Sequence, residues 1–345
     1  MADIQRVGGR YGIEAEVGSG PVATVHRGRL TGGAGFTRRV ALKRLTPRLA
    51  QDAVFVEDLA KGLSVLMGFP HTHVENTLDL FREDEDVWQV VEWCDGPSLT
   101  SWVEAHHEQG TPAPYGQLVA IAAKTLYGLH GLHSRGLSHG AVGAAAIRID
   151  RSGQPRLTRA GICSALRQSG HDPEWAENEG LLRATPEGRP GVSADIFAVG
   201  LLLYTVLAGA TDVAFLPEEL RERLMTGRPV DLSLLRADVP PVLLRTIERA
   251  LRSDPRERFD SAAIMARTLE LLLRTLPENV DPPVIGRGIL ELSAAKAAAK
   301  PAAKPAAKKP AGATSGGPPP PPPNRSAPKA PPPPDSVERP VVDEA

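Results

Sequence analysis

Several residue types able to do chemistry occur in this chain, but their spacing alone builds none of the common centres. Cys94 and Cys163 lie far apart without metal-ligand spacing and read as buried free thiols of a reducing compartment. His71, His73, His106, His107, His130 and His133 form no convincing metal set; a packed helical face accounts for His130 and His133. Lys43 closes the strand-like run Val40-Ala41-Leu42 and, taken alone, pairs with a local carboxylate or reaches solvent. Gly18 and Gly20 lie in a turn that any tight hairpin could contain. No Asp lies between His139 and Ile149, and none between Arg151 and His171.

The elements that must position these residues divide the chain in two. Residues 10–93 are strand-rich: Tyr11 to Val17 and Thr24 to Leu30 flank the glycine turn, and Phe36 to Arg44 and Val87 to Trp93 are rich in β-branched or aromatic residues. Between them, 52–68 carries apolar residues at helical spacing. From 97 onward the pattern is helical, over roughly 98–109, 115–135, 193–209, 217–226, 240–252 and 260–276. It is interrupted by Ile147–Ile149 and Pro155–Thr158 around the turn at Asp150 to Gly153. A β-rich N-lobe with one main helix, followed by a helical C-lobe, is an α+β bilobal layout.

Composition bounds the rest. The 345 residues carry a formal net charge of −1, so neither global basicity nor acidity selects a partner, and nucleic acid is disfavoured. The first ten residues lack the apolar core of a signal peptide, and the apolar run Ile196 to Ala210 is too short to cross a bilayer and is broken by Gly200 and Gly209. A cytoplasmic protein with no membrane partner is expected. Beyond residue 277 the sequence falls into Ala/Lys/Pro repeats and a polyproline run at 318–323. That composition cannot offset its ordering entropy, so a disordered tail is expected over 278–345.

Over about residues 10–277 the chain resembles the eukaryotic-like Ser/Thr protein kinase family. Gly18-Ser-Gly20-Pro-Val-Ala23-Thr-Val25 looks like its glycine-rich loop, with Ala23 at the third glycine. Val40-Ala41-Leu42-Lys43 is close to V-A-I-K, and Glu92-Trp93-Cys94-Asp95-Gly96 reads as the hinge between an N-lobe (10–93) and a C-lobe (94–277), with 1–9 as an extension. His139 to Ala146 falls at the catalytic loop, Leu157 to Gly161 at the strand leading into D-F-G, and Ala184-Thr-Pro-Glu187 at A-P-E. Ala194-Asp195 opens the central helix, and Asp254 to Phe259 matches the late loop that carries Arg258. The order is right and the spacings fit.

The resemblance implies a bilobal kinase fold. It also implies scaffold roles: Asp195 holding the backbone around His139, and a buried Glu187–Arg258 pair, with Gly161 as the last residue of the D-F-G triplet. Gly18, Gly20, Val25, Ala41, Lys43, Glu92 and Cys94 fall at its nucleotide positions. Family catalysis needs a loop Asp as base, and an Asn and the D-F-G Asp to hold metal ions. Those positions are Ala141, Ala146 and Arg159 here, and an alanine methyl neither accepts a proton nor coordinates Mg²⁺. Gly140 replaces the loop Arg, Gly143 the loop Lys, and Ala160 the D-F-G Phe. The carboxylate opposite Lys43 falls at Gly62, with Glu57 or Asp58 serving in a shifted register.

These losses lead to the expectation of a pseudokinase, not an enzyme, with no metal and no required cofactor. It would be a scaffold or regulatory protein whose partner is a protein, an active kinase or another signalling component. ATP without Mg remains open: Lys43 and the glycines favour it, whereas Arg148, under the expected adenine site, opposes it. Alternatives are an atypical nucleotide-binding enzyme or a weak Ser/Thr kinase. A third is a tail-driven binder of an acidic partner or nucleic acid, for which Lys296, Lys300, Lys304 and Lys308 are suited, while the tail's prolines suit a proline-recognition module.

Overall fold

Alternation in Val40-Ala41-Leu42-Lys43 sends successive side chains to opposite faces of a sheet. The computed structural model describes residues 5–226, 236, 238–276 and 279–299. Its N-lobe is a six-stranded antiparallel sheet of β1 (Arg6–Val7), β2 (Tyr11–Ser19), β3 (Ala23–Thr31), β4 (Thr37–Leu45), β5 (Thr77–Glu83) and β6 (Asp86–Glu92), in the order β1-β2-β3-β4-β6-β5. On one face Val40 and Leu42 join Val7, Tyr11, Trp88 and Val90 in a small core. Ala41 and Lys43 line the cleft on the other.

Below the sheet lie the short α1 (Pro47–Ala50) and α2 (Ala53–Met67). Asp52 caps α2 by accepting a hydrogen bond from the Phe55 amide at 3.0 Å, satisfying one of the free donors of the first turn. Phe55, Leu59, Leu63 and Leu66 then form the buried stripe of an amphipathic helix.

The C-lobe contains α3 (Leu99–Glu108), α4 (Tyr115–His133), the hairpin of β7 (Ile147–Ile149) and β8 (Pro155–Leu157), and then α5 (Ile162–Gln168), α6 (Pro173–Asn178), α7 (Val192–Leu207), α8 (Glu218–Met225), α9 (Pro241–Ala250), α10 (Ala262–Leu273) and α11 (Pro282–Ala299). Every residue of α7 from Ala194 to Leu207 is buried, which is why its sequence is apolar on all sides. Among the described residues no helix is long and apolar enough to cross a membrane.

Three features go beyond the sequence reading and one expectation needs correction. Within the N-terminal extension, Arg6 and Val7 pair with Gly12 and Tyr11. Thr77–Glu83 is a strand that the sequence hid: it lies at the sheet edge, where Asp79, Arg82 and Glu83 break the apolar alternation. The stretch after Gly161 forms α5 and α6, held to the N-lobe helices by Ser164 Oγ to Asp58 at 2.8 Å and by Arg48 over Trp175 at 4.2 Å.

The correction concerns the expected disorder beyond residue 277, since Pro282–Ala299 is helical. Two prolines at its start suit a first turn that needs no amide donor. Ile285 and Ile289, one turn apart, are 0% and 1% exposed. Gly286 lets this helix close on the β7–β8 turn: a Cβ there would lie 2.3 Å from the Arg151 carbonyl oxygen. The expected disordered tail over 300–345 lies outside the described residues.

Candidate functional site

Between the lobes lies a cleft of about 310 Å³, roofed by the β2–β3 turn with Gly18 and Gly20 and walled by Val25, Ala41 and Lys43. Glu92 and Cys94 form its hinge side, so all seven residues expected at a nucleotide site come together here. Burial pushes the Cys94 thiol up to about 11, which keeps it protonated.

Lys43 bonds a carboxylate oxygen of Glu75, both side chains being only 16% and 12% exposed. Neither candidate on α2 serves. Glu57 pairs with Lys61 on the helix surface at 2.8 Å, and Asp58 accepts from Ser164. Gly62 occupies the facing turn, where an added Cβ would come within 3.7 Å of Gly161 Cα. Glu75 is therefore the residue that sequence reasoning missed. Its signal is a carboxylate one residue after buried Val74 and two before buried Thr77, fixed by its amide donating to Leu157 O at 2.9 Å.

The catalytic-loop turn is fully built. His139 is buried, and its amide and that of Gly140 donate to Asp195 Oδ2 and Oδ1, each at 2.8 Å. The His139 ring donates from Nε2 to Thr158 O at 2.8 Å and accepts the Ala141 amide at Nδ1 at 3.2 Å, which is the neutral tautomer. Burial lowers its pKa, partly opposed by the Asp195 charge. Gly140 has φ +73°, and a Cβ there would meet Cys163 Sγ at 2.3 Å, so a side chain at this position would be both strained and crowded.

The space that Gly143 leaves is taken by Arg183, whose Nη2 would lie 2.4 Å from an added Cβ. Arg183 pairs with Asp212 and donates to Val142 O at 3.3 Å. Ala141 and Ala146 are buried, and of the loop alanines Ala145 is the one that lines the cleft. Arg159 reaches the cleft from a left-handed backbone, φ +67°. Burial, then the nearby Arg183, lower its pKa, while Glu75 opposes them. Ala160 and Gly161 follow and start α5.

Behind the site Arg258, its side chain 0% exposed, grips Glu187 in a fork, Nη1 to Oε1 at 2.8 Å and Nη2 to Oε2 at 2.9 Å. It also donates to Ser193 O and Arg252 O, at 2.9 and 2.7 Å. Arg148 is half-buried rather than stranded, because its Nη2 donates to the Gly96 carbonyl.

The side chains expected to hold Mg²⁺ do not fit the ion. Ala146 offers no oxygen and Arg159 presents a cation, whereas Mg²⁺ requires a near-octahedral oxygen shell. Among the described residues no three His, Cys, Asp or Glu side chains group closely enough to hold a metal ion.

A β-rich lobe joined by a hinge to a helical lobe, with this cleft between them, is the protein kinase fold. The family model described as protein kinase domain matches residues 11–268, and the chain belongs to the eukaryotic-like Ser/Thr protein kinase family. It is 26% identical over 278 residues to serine/threonine-protein kinase PksC of Streptomyces coelicolor, a match covering 75% of this chain and 48% of that protein. It is 30% identical over 309 residues to PkaA of the same organism, covering 81% and 53%. The chain thus spans about half the length of these curated relatives. The solved kinase domain of PknI from Mycobacterium tuberculosis shares the fold, with a TM-score of 0.59 at 24% identity over 79% of this chain and 99% of that one.

These comparisons correct the expectation that the chain is not an enzyme. The family model, the named relatives and the solved neighbours are all kinases, so the class it belongs to is an enzyme class. That expectation rested on the side chains at positions 141, 146 and 159; the fold adds Glu75 to the cleft from a distant segment, as the partner of Lys43.

Proposed function

We propose that this kinase-family chain acts in cytoplasmic signalling as a regulatory and scaffolding protein, working through binding to another protein, an active kinase or other signalling component. The observation that carries this reading is the contrast within one site. The scaffold bonds of Asp195 and Arg258 are complete, while positions 141, 146 and 159 carry Ala, Ala and Arg. Mechanism follows the site more closely than the fold.

The test adds purified full-length chain to active Ser/Thr kinases from the same cell and follows their phosphorylation rates. A changed rate, kept by a Lys43→Ala variant, supports regulation by binding. Rates that never respond, with Mg-dependent transfer from ATP by the chain itself that Lys43→Ala abolishes, would support the second reading. That reading is a weak Ser/Thr kinase, and the Lys43–Glu75 pair favours it because it keeps the strand lysine anchored in the cleft. Contacts of the tail with an acidic surface or a proline-recognition module belong to the same proposal, and repeating the rate assay without 300–345 tests them.

A further inference from the structure

The charges that line the cleft are not balanced alike. Lys43 is paired with Glu75, and Glu92 is held by Arg38 and by Arg156. Arg183, just behind, is paired with Asp212. Arg159 and Arg148 line the same cleft. Among the described residues neither has a carboxylate within ion-pair distance, although the Glu75 charge is felt at Arg159. The guanidinium of Arg159 makes one long hydrogen bond, Nη1 to Gly180 O at 3.4 Å. The nearest counter-charge to Arg159, Glu75, is already paired with Lys43. A partly desolvated cation that must share its counter-charge is costly, and an anion entering the cleft relieves that cost.

The position of Arg159 is also held against a backbone preference. An arginine at φ +67° sits in a region that non-glycine residues rarely occupy. It aims a planar, permanently charged donor fork, suited to phosphate oxygens, into the cavity where the family's metal ion does not fit.

We infer that this cleft binds a nucleoside polyphosphate without a divalent cation, with the Arg159 guanidinium supplying, beside Lys43, the positive charge that a metal ion would otherwise bring. The glycine turn roofs the phosphates and the hinge side takes the base, next to Arg148, whose flat guanidinium suits the face of an aromatic ring. Magnesium then competes with the protein: it neutralises the free nucleotide, and the Mg complex brings a second cation towards Arg159. This inference does not depend on a protein partner, so it and the proposed function fail separately.

The test is calorimetric titration of the full chain with ATP in excess EDTA and again in excess Mg²⁺. Binding in EDTA that weakens severalfold with Mg²⁺ is expected. Arg159→Asn, a residue that tolerates the left-handed backbone, should keep the melting temperature and lose at least tenfold in affinity in EDTA. Arg159→Asp should lose binding in EDTA and regain it in Mg²⁺. The inference is overturned if Mg²⁺ tightens wild-type binding, if neither condition gives binding, or if Arg159→Asn binds like wild type. Inorganic tripolyphosphate separates the sources of the phosphate: binding as tight as ATP's overturns the nucleoside assignment.

Discussion

Lys43, on β4, finds its carboxylate in Glu75 and not on helix α2, whose facing turn carries Gly62. The pair ties β4 to the segment that also bonds Leu157 of the C-lobe hairpin, so one contact links sheet and lobe. Glu75→Gln should therefore destabilise the protein by about 2 kcal/mol, the scale of a charge-assisted hydrogen bond in a partly buried site. Lys43→Met should cost a similar amount, and the double variant clearly less than the sum. Urea denaturation of the four proteins checks this, and strictly additive losses would show that the two side chains do not act as a pair.

Much of the scaffold was legible because it is written locally. Val40 and Leu42 alternate with Ala41 and Lys43, the apolar run of α7 reads as a buried helix, and Asp195, Glu187 and Arg258 stand in recognisable motifs. Glu75 was not legible, since it is paired with Lys43 by the fold and not by sequence spacing. Ile285 and Ile289 were hidden in a different way. Ile285, Ile289 and Leu292 stand at helical spacing, but the Ala/Lys/Pro repeats that follow them dominate the composition of the whole stretch. The helices α5 and α6 likewise depend on the flank of α2 and on Arg48, outside their own sequence.

The Glu187–Arg258 fork gives acid sensitivity of a defined sign. Burial works to raise the Glu187 pKa, but the hydrogen bonds and charge of Arg258 outweigh it and leave the folded value below the ordinary 4.5. At acid pH the unfolded chain then binds more protons, so stability rises with pH. The contribution is complete above about 4.5 and is lost as pH falls through the folded value. Glu187→Gln should cost about 3–5 kcal/mol at neutral pH, because it strands the Arg258 charge. It should also flatten the acid limb in a series of urea midpoints, and an unchanged limb would place the acid sensitivity elsewhere.

His73 acts in a higher window. Burial pushes its pKa down to about 4, partly opposed by the Pro155 carbonyl, to which its ring bonds at 3.1 Å from Nδ1. The folded protein thus favours the neutral ring, and the stability this carries is full above about 6.5 and declines as pH drops towards 4. His71, His106 and His139 are lowered in the same sense. The melting temperature should fall between pH 6.5 and 5, and His73→Gln should make that fall shallower. An equal slope in the variant would assign the titration to the other three rings.

The helix beyond the kinase domain is bound to the C-lobe by its packing, and its two faces give opposite expectations. Ile285→Ala empties a fully buried site and should cost about 3 kcal/mol. Leu290→Ala, on the same helix but 43% exposed, should stay within about 0.5 kcal/mol of wild type. Gly286→Ala adds only a methyl, yet places it 2.3 Å from the Arg151 carbonyl oxygen, so the helix must back away from the β7–β8 turn and lose part of the Ile285 and Ile289 contacts. It should therefore destabilise the protein despite alanine's higher helix propensity. If α11 did not pack on the lobe, Gly286→Ala would be neutral or stabilising and Ile285→Ala would match Leu290→Ala; urea midpoints of the three variants decide between the two outcomes.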